Sequence, residues 1–311
     1  MRFSPILPSG ALLAGLLSST VVEVVAWGGG KDLIQNGSSI VGTGSLDCVL
    51  VIHSPNDPLK RGQDFDIDQY ITLQDWYHPL SEVITAALQT PQGFNGTAIA
   101  PSPQAMLVNG RAIFNCSYAA PNETCTQLDQ LDLPELHFPP NKRIRLRFAH
   151  DGFHPPFRVS VDEHVLQVVE ADDTPVNPLP VHRIQIATAQ RYSGIFDTTG
   201  NKVGDSFYLR SDVNTACLGL PTPDLNTETC IIIRIVDEED CTSPARTLPN
   251  STDWSDPTTG ACTDLDASLL VPQIVRAAPS PPSQIHVFNS SFIIPNGVFR
   301  WTINTVTFES F

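Results

Sequence analysis

The segment from Lys142 to Ser193 restricts what this chain can fold into more than any other. Apolar and polar residues alternate through Ile144, Leu146 and Phe148, then through Phe157, Val159 and Val161, then through Val165, Gln167 and Val169. A period of two turns one set of side chains to a buried face and the other to water, the pattern of half-buried β-strands. Breaks at Pro155-Pro156 and from Pro175 to Pro180 divide the runs, because proline has no N–H to give to a sheet ladder and so marks turns and edges. Similar short runs occupy Val49 to His53, Gln69 to His78, Ala105 to Gly110, Arg111 to Tyr118, Phe207 to Asp212 and Cys230 to Asp237. Strands of this length and spacing predict an all-β Greek-key sandwich or barrel. One short helix is expected over Leu80 to Leu88, where Leu80, Val83, Ile84, Ala87 and Leu88 recur at helical spacing.

Charge and cysteine narrow the function. With 33 acidic against 18 basic residues the formal net charge is −15, which opposes binding to the phosphates of nucleic acid. Residues 1–26 have a basic Arg2, an apolar run from Ala11 to Leu17 and small residues before Val24-Val25-Ala26, the anatomy of a secretory signal peptide. No later stretch is long and apolar enough for a membrane-spanning helix. Sequons begin at Asn36, Asn95, Asn115, Asn122, Asn250 and Asn289, and together with seven cysteines they fit an oxidising, extracellular route. Local spacing suggests the pairs Cys116 with Cys125, Cys217 with Cys230 and Cys241 with Cys262, leaving Cys48 over, although spacing does not fix connectivity.

Motifs for several chemistries are missing. The sequence holds no G-x-S-x-G nucleophile elbow and no Gly-rich phosphate loop. His150, His154 and His164 are the nearest thing to a metal set, but His150-Asp151-Gly152 reads as a turn, so a spacing of four does not place two rings on one face. His150 and His154 are therefore expected to be surface turn residues. The carboxylates Asp162, Glu163, Glu170, Asp172 and Asp173 cluster at strand ends, where solvated turns explain them better than an acid–base pair.

The segments HSPNDPLKRGQDFDIDQYITLQDWYH (53–78), APSPQAMLVNGRAIFNCS (100–117), FRVSVDEHVLQVVEAD (157–172) and IQIATAQRYS (184–193) resemble the middle of the fungal multicopper oxidases, the laccase-like, ferroxidase-like and pigment oxidases. The resemblance implies cupredoxin domains, with copper as cofactor, one-electron oxidation of phenolic or metal-ion substrates, and reduction of dioxygen to water, in the family's pigment or secondary-metabolite synthesis. It also implies copper ligands in H-x-H, H-x-x-H-x-H and H-C-H motifs, and none of these occurs among the eight histidines here. The second domain of such proteins carries no copper ligand and supplies spacing and part of the substrate-pocket wall. By that resemblance Asp162 and Glu163 lie where ferroxidase-like members offer a carboxylate. His182 stands where many laccases have an acid before the IQI strand.

The expected organisation is a signal peptide over 1–26, a flexible lead-in and first-domain remnant over 27–69, a complete second cupredoxin domain over 70–240, a Pro/Ser/Thr-rich surface linker over 241–283, and the opening strands of a third domain over 284–311. The expected function is that of an oxidase-family protein that binds no copper and is inactive alone. A non-catalytic secreted binding module, or a truncated gene product, is the alternative. Val49 to His53 is expected to lose its sheet partners and the two terminal strands to expose unpaired edges, promoting self-association.

Overall fold

The computed structural model of the chain describes residues 21–26, 48–53, 57–172, 174–237, 247–255, 261–277, 281–282 and 284–307, the first two segments as backbone only. The first twenty residues of the expected leader, the Gly/Ser-rich lead-in, Asn36 and Cys241 fall outside the described residues, as does the side chain of Cys48. In chain order the strands are β1 (Val21–Ala26), β2 (Cys48–His53), β3 (Ile67–Trp76), β4 (Ala105–Val108), β5 (Glu135–Phe138), β6 (Arg143–His150), β7 (Phe157–Val161) and β8 (Leu166–Ala171). They continue as β9 (Thr174–Val181), β10 (Ile184–Ile186), β11 (Arg191–Asp197), β12 (Ser206–Val213), β13 (Glu228–Ile235), β14 (Ser290–Ile293), β15 (Arg300–Ile303) and β16 (Val306–Thr307). The helix α1 spans Ser81–Leu88.

Two sheets face each other. One has the order β10-β7-β12-β13-β5 and the other β4-β3-β6-β11-β8-β9, both mixed, with parallel pairing at β13–β5 and β3–β6. The predicted all-β sandwich is thus the observed architecture. Its core forms where the alternating residues meet: Ile144, Leu146 and Phe148 from β6, Phe157, Val159 and Val161 from β7, and Leu209, Ile231 and Ile233 from β12 and β13. Each side chain of this size stabilises by roughly 1.5–3 kcal/mol when fully buried, so the three-strand repeat seen in the sequence carries much of the fold.

The register of β8 differs from expectation. Leu166 and Val168 point to the core, whereas Val165 is 38% exposed. The cause lies in the backbone on either side: Glu163 adopts a left-handed φ of 61° in the turn before β8, and the β8–β9 ladder slips between Val168 and Glu170. Beyond that irregularity Val169 joins Leu59, Phe65 and Ile195 in a second apolar cluster. The prolines of β9 sit on the edge of their sheet, where a missing N–H is tolerated.

Three further expectations change. β2 is not without a partner: it pairs antiparallel with β1, whose residues the sequence assigns to the end of the leader. The helix stripe of α1 is not buried, and Leu80 and Val83 are about half exposed at 49% and 54%. Finally, the segment read as a linker does not hang free. Residues 247–255 and 261–277 lie against the sandwich as a strap, which ends by pairing with the bare side of β9 through Asn177 N–H to Val271 O (2.8 Å) and Gln273 N–H to Pro175 O (2.9 Å). Its composition hides this because it holds on through single anchors rather than a periodic face. By contrast β14–β16 form a small separate sheet with Phe292, Ile293, Trp301, Ile303 and Val306 exposed.

Candidate functional site

The strap crosses the outer face of the five-stranded sheet, and there the structure gathers Asp162, Glu163 and His182. The Asp162–His164 turn closes β7 with His164 N–H donating to Val161 O at 3.2 Å. Asp162 is not the solvated turn residue that its position suggests, since none of it is exposed. Its carboxylate takes a two-pronged bond from Arg210 on β12 (Nε 2.7 Å, Nη2 3.0 Å) and a third bond from Ser251 Oγ of the strap (2.7 Å). Burying a charge is unfavourable unless it is paired and hydrogen-bonded, and here both oxygens of the carboxylate are bonded. The hydrogen bond to Asp162 in turn raises the pKa of Arg210, which also reaches Glu228 Oε1 at 2.9 Å.

Glu163 is exposed, and its Oε1 accepts the Thr252 N–H at 2.9 Å. His182 lies flat on Trp254, with ring centroids 3.9 Å apart and planes 5° from parallel, while Trp254 Nε1–H donates to Val161 O at 3.0 Å. Next to it Arg183 gives its guanidinium to Ser160 Oγ (3.0 Å), Asp253 Oδ1 (2.8 Å) and Trp254 O (3.2 Å). Further on, Asn214 Nδ2 donates to Ala261 O at 2.9 Å, and a disulfide joins Cys217 to Cys262. That bond corrects the expected pairing. Cys217 and Cys262 close a loop across the strap, and Cys230, the presumed partner of Cys217, is a buried free thiol on β13 whose pKa burial pushes up to about 12. The short-range pair Cys116–Cys125 is as expected.

Two clefts open among the described residues, the first of them against the strap. The first, about 440 Å³, is lined by Glu163, His164, Asn201, Asp205, Ser206, Phe207, Asn250 and Ser251. The second, about 400 Å³, is lined by Arg158, Asp212, Val213, Thr215, Thr227 and Glu228. In it burial, assisted by Glu228, pushes Asp212 up to about 6.

The remaining histidines show what this chain can offer a metal. His150 is a buried strand residue, 2% exposed, and not on a surface turn: its Nδ1 accepts Gly152 N–H at 3.0 Å and its Nε2–H donates to Pro155 O at 2.9 Å. Burial lowers its pKa. His164 has its ring edge-on to Phe196 and Phe207 and bonds Asp162 O and Asn201 Oδ1. His154 meets the Tyr77 hydroxyl at 3.3 Å, and His137 meets Glu135 at 3.2 Å. Among the described residues no three His, Cys, Asp or Glu side chains converge where a metal ion could sit. The donors among the described residues do not fit copper, which requires imidazoles, with or without a thiolate, aimed at one point.

A family model described as multicopper oxidase matches residues 68–233. The chain belongs to this family. Within it, laccase-1 of Cryptococcus neoformans var. grubii is 41% identical over 246 residues, covering 78% of this chain and 38% of that protein. The oxidoreductase OpS5 of Beauveria bassiana is 31% identical over 258 residues, covering 82% of this chain and 39% of its own length. Among solved structures, laccase from Botrytis aclada superposes with a TM-score of 0.59 at 27% identity over 78% of this chain and 40% of its own. Fet3p, a multicopper oxidase that functions in iron import, gives a TM-score of 0.63 at 20% identity over 82% of this chain and 41% of its own, a likeness of fold. The chain therefore spans about two-fifths of the length of these multicopper oxidases.

The site residues that sequence reading missed in this multicopper oxidase chain are Arg210, Ser251, Trp254, Arg183 and Asp212. Two signals were present. In β12 Ser206, Tyr208, Arg210 and Asp212 alternate with buried residues, which sets their polar groups in a row on the outer face. Trp254 is a lone large aromatic in a polar segment, and such a residue is expected to find a packing partner.

Proposed function

We propose that residues 70–240 are the copper-free second cupredoxin domain of a laccase-like oxidase, that 284–311 open a third domain, and that the chain acts by shape. It holds flanking domains at a set distance and contributes one wall of a pocket for a phenolic or metal-ion substrate, with the exposed Glu163 and His182 on the strap face as its candidate wall residues and the fully buried Asp162 anchoring the strap behind them. By itself it binds no copper and oxidises nothing. One observation carries this reading: the imidazoles of His150, His154, His164 and His182 are engaged at separate places with backbone, tyrosine, asparagine and tryptophan partners. Without copper there is neither an electron acceptor for the substrate nor a place to reduce dioxygen, and no step of the family reaction can be written with these residues alone. The test is copper quantification on the purified chain together with oxygen uptake on a phenol. Colourless protein without oxygen uptake is expected; stoichiometric copper with uptake overturns the reading.

Export completes the proposal. The leader-like residues 1–26, the sequons and the two disulfides fit an oxidising compartment. No helix among the described residues is long and apolar enough to cross a membrane.

A further inference from the structure

Asn250 begins the sequon Asn250-Ser251-Thr252 and stands exposed on the wall of the 440 Å³ cleft. Its neighbours are fixed: Pro249 is buried, Ser251 Oγ donates to Asp162 Oδ2 at 2.7 Å, and Thr252 N–H donates to Glu163 Oε1 at 2.9 Å. The Asn250 amide is therefore presented from a held backbone. Asn122, in contrast, lies in the exposed loop closed by Cys116–Cys125. Around the cleft stand the carboxylates of Glu163 and Asp205, the amide of Asn201 and the hydroxyl of Ser206, with His164 and Phe207 alongside. An N-acetylhexosamine offers an amide N–H that a carboxylate accepts, hydroxyls that an amide or hydroxyl can bond, and a C–H face suited to a ring. The volume falls within the range of about 300–1,000 Å³ that small-molecule pockets occupy.

We propose that Asn250 is N-glycosylated and that the first N-acetylhexosamine of its glycan seats in this cleft, joining the strap to the β7–β12 face. In the attachment step Asn250 Nδ2 forms a bond to C1 of a lipid-linked oligosaccharide diphosphate, the C1–O bond breaks with its electron pair leaving on the lipid diphosphate, and the proton lost by the amide passes through solvent to balance that charge. The inference rests on the export reading given above.

The experiment secretes the full chain from a yeast, maps each sequon by mass spectrometry and times endoglycosidase trimming before and after denaturation. Asn250 is expected to carry sugar and to be trimmed at least about tenfold more slowly than Asn122 in the native protein, and at an equal rate once unfolded. Asn250→Gln is expected to lower the melting temperature while leaving trimming at Asn122 unchanged. Secreted chain with Asn122 occupied and Asn250 bare, or with equal native trimming at both, overturns the seat alone. Chain retained in the cell without sugar at any sequon overturns the export reading and the seat with it.

Discussion

Each sheet of the sandwich pairs an arginine with a buried aspartate on its outer face, and the two pairs are closed in different ways. On the six-stranded sheet, Asp68 of β3 takes Arg145 (Nε 2.5 Å, Nη2 2.9 Å) and Arg147 (3.0 Å) from the adjacent β6, and Glu170 of β8 takes Arg147 at 3.2 Å and Ser193 Oγ at 2.6 Å. All of these lie on strands of one sheet, and Phe65 covers the Arg145 guanidinium at 3.7 Å to its ring centre. On the five-stranded sheet, the Asp162–Arg210 pair is completed by a residue of the strap, Ser251, some ninety positions along the chain, and clefts open beside it. The first arrangement is bonded within one sheet and covered by the segment just before β3, through Asp57, Arg61 and Phe65, and reads as structure. The second depends on a removable segment and leaves polar groups facing open space, which is what a binding wall requires.

The largest expected effect breaks the six-stranded side. Arg145 is 2% exposed, and Arg145→Ala leaves Asp68, itself buried, with one cation fewer. Burial, the largest single influence on Asp68, raises its pKa, yet its arginine partners hold it below the usual carboxylate range; removing Arg145 exposes that penalty. A loss of about 3–5 kcal/mol is expected in urea unfolding, as for other buried pairs deprived of one member. A loss below about 1 kcal/mol would remove the distinction between the two faces.

The next effect breaks the strap side. Cys262→Ser opens a loop of sequence separation 45, and a native disulfide of this kind contributes about 2–4 kcal/mol. Hydrogen exchange is expected to rise across 247–255, 261–264 and on β10, while β3 and β6 keep their protection. If exchange rises uniformly instead, the strap is an integral layer and not a separable cover.

How far the sequence disclosed these two faces depends on the kind of interaction. Burial with a period of two is written locally, so β6, β7 and the sandwich itself were legible in Ile144, Leu146, Phe148 and their successors. The slip in β8 was not, because a left-handed Glu163 and a ladder irregularity shift the register without altering composition. Asp162, Glu163 and His182 could be proposed from the family resemblance. That they meet beneath one strap could not, since Ser251, Trp254 and Cys262 reach them over long separations through individual bonds. The same reason explains the wrong partner for Cys217: the nearer cysteine, Cys230, points from β13 into a buried position.

A smaller, pH-dependent effect sharpens the comparison. Asp212, beside the strap, has its pKa raised to about 6 by burial, then by Glu228 and Asp253, against the lowering influence of Arg183 and Arg158. Because the folded value lies above the unfolded one, the folded state holds this proton more tightly. Its contribution to stability is present at about pH 4 and is lost as pH rises towards 6, by an amount on the order of 2 kcal/mol. Asp212→Asn should abolish this component, so that the difference between variant and wild type grows between pH 4 and 6 and is flat above. Asp66 on the opposite side, lowered chiefly by its bonds to Arg143, has the reverse sign, with stability lost as pH falls through its folded value. Equal pH profiles for wild type and Asp212→Asn would show that the strap face imposes no such strain.

The smallest effect compares two serines that do the same thing on opposite faces. Ser193 Oγ donates to Glu170 at 2.6 Å within its sheet, and Ser251 Oγ donates to Asp162 at 2.7 Å while accepting Tyr208 N–H at 3.2 Å. Replacing either by alanine removes a hydrogen bond to a charged group, worth about 1.5–3 kcal/mol, with part recovered as the partner rearranges. The totals should be similar and the locations different. Ser193→Ala leaves a carboxylate still bound to Arg147, so exchange changes only around β8 and β11. Ser251→Ala unfastens a segment that has no sheet of its own, so the Thr252 N–H bonded to Glu163 should exchange markedly faster, while the sequon at Asn250 stays intact. If Thr252 exchange is unchanged in Ser251→Ala, Trp254 and Arg183 hold the strap without the serine. The Asp162 carboxylate would then belong to the sheet in the same sense as Asp68.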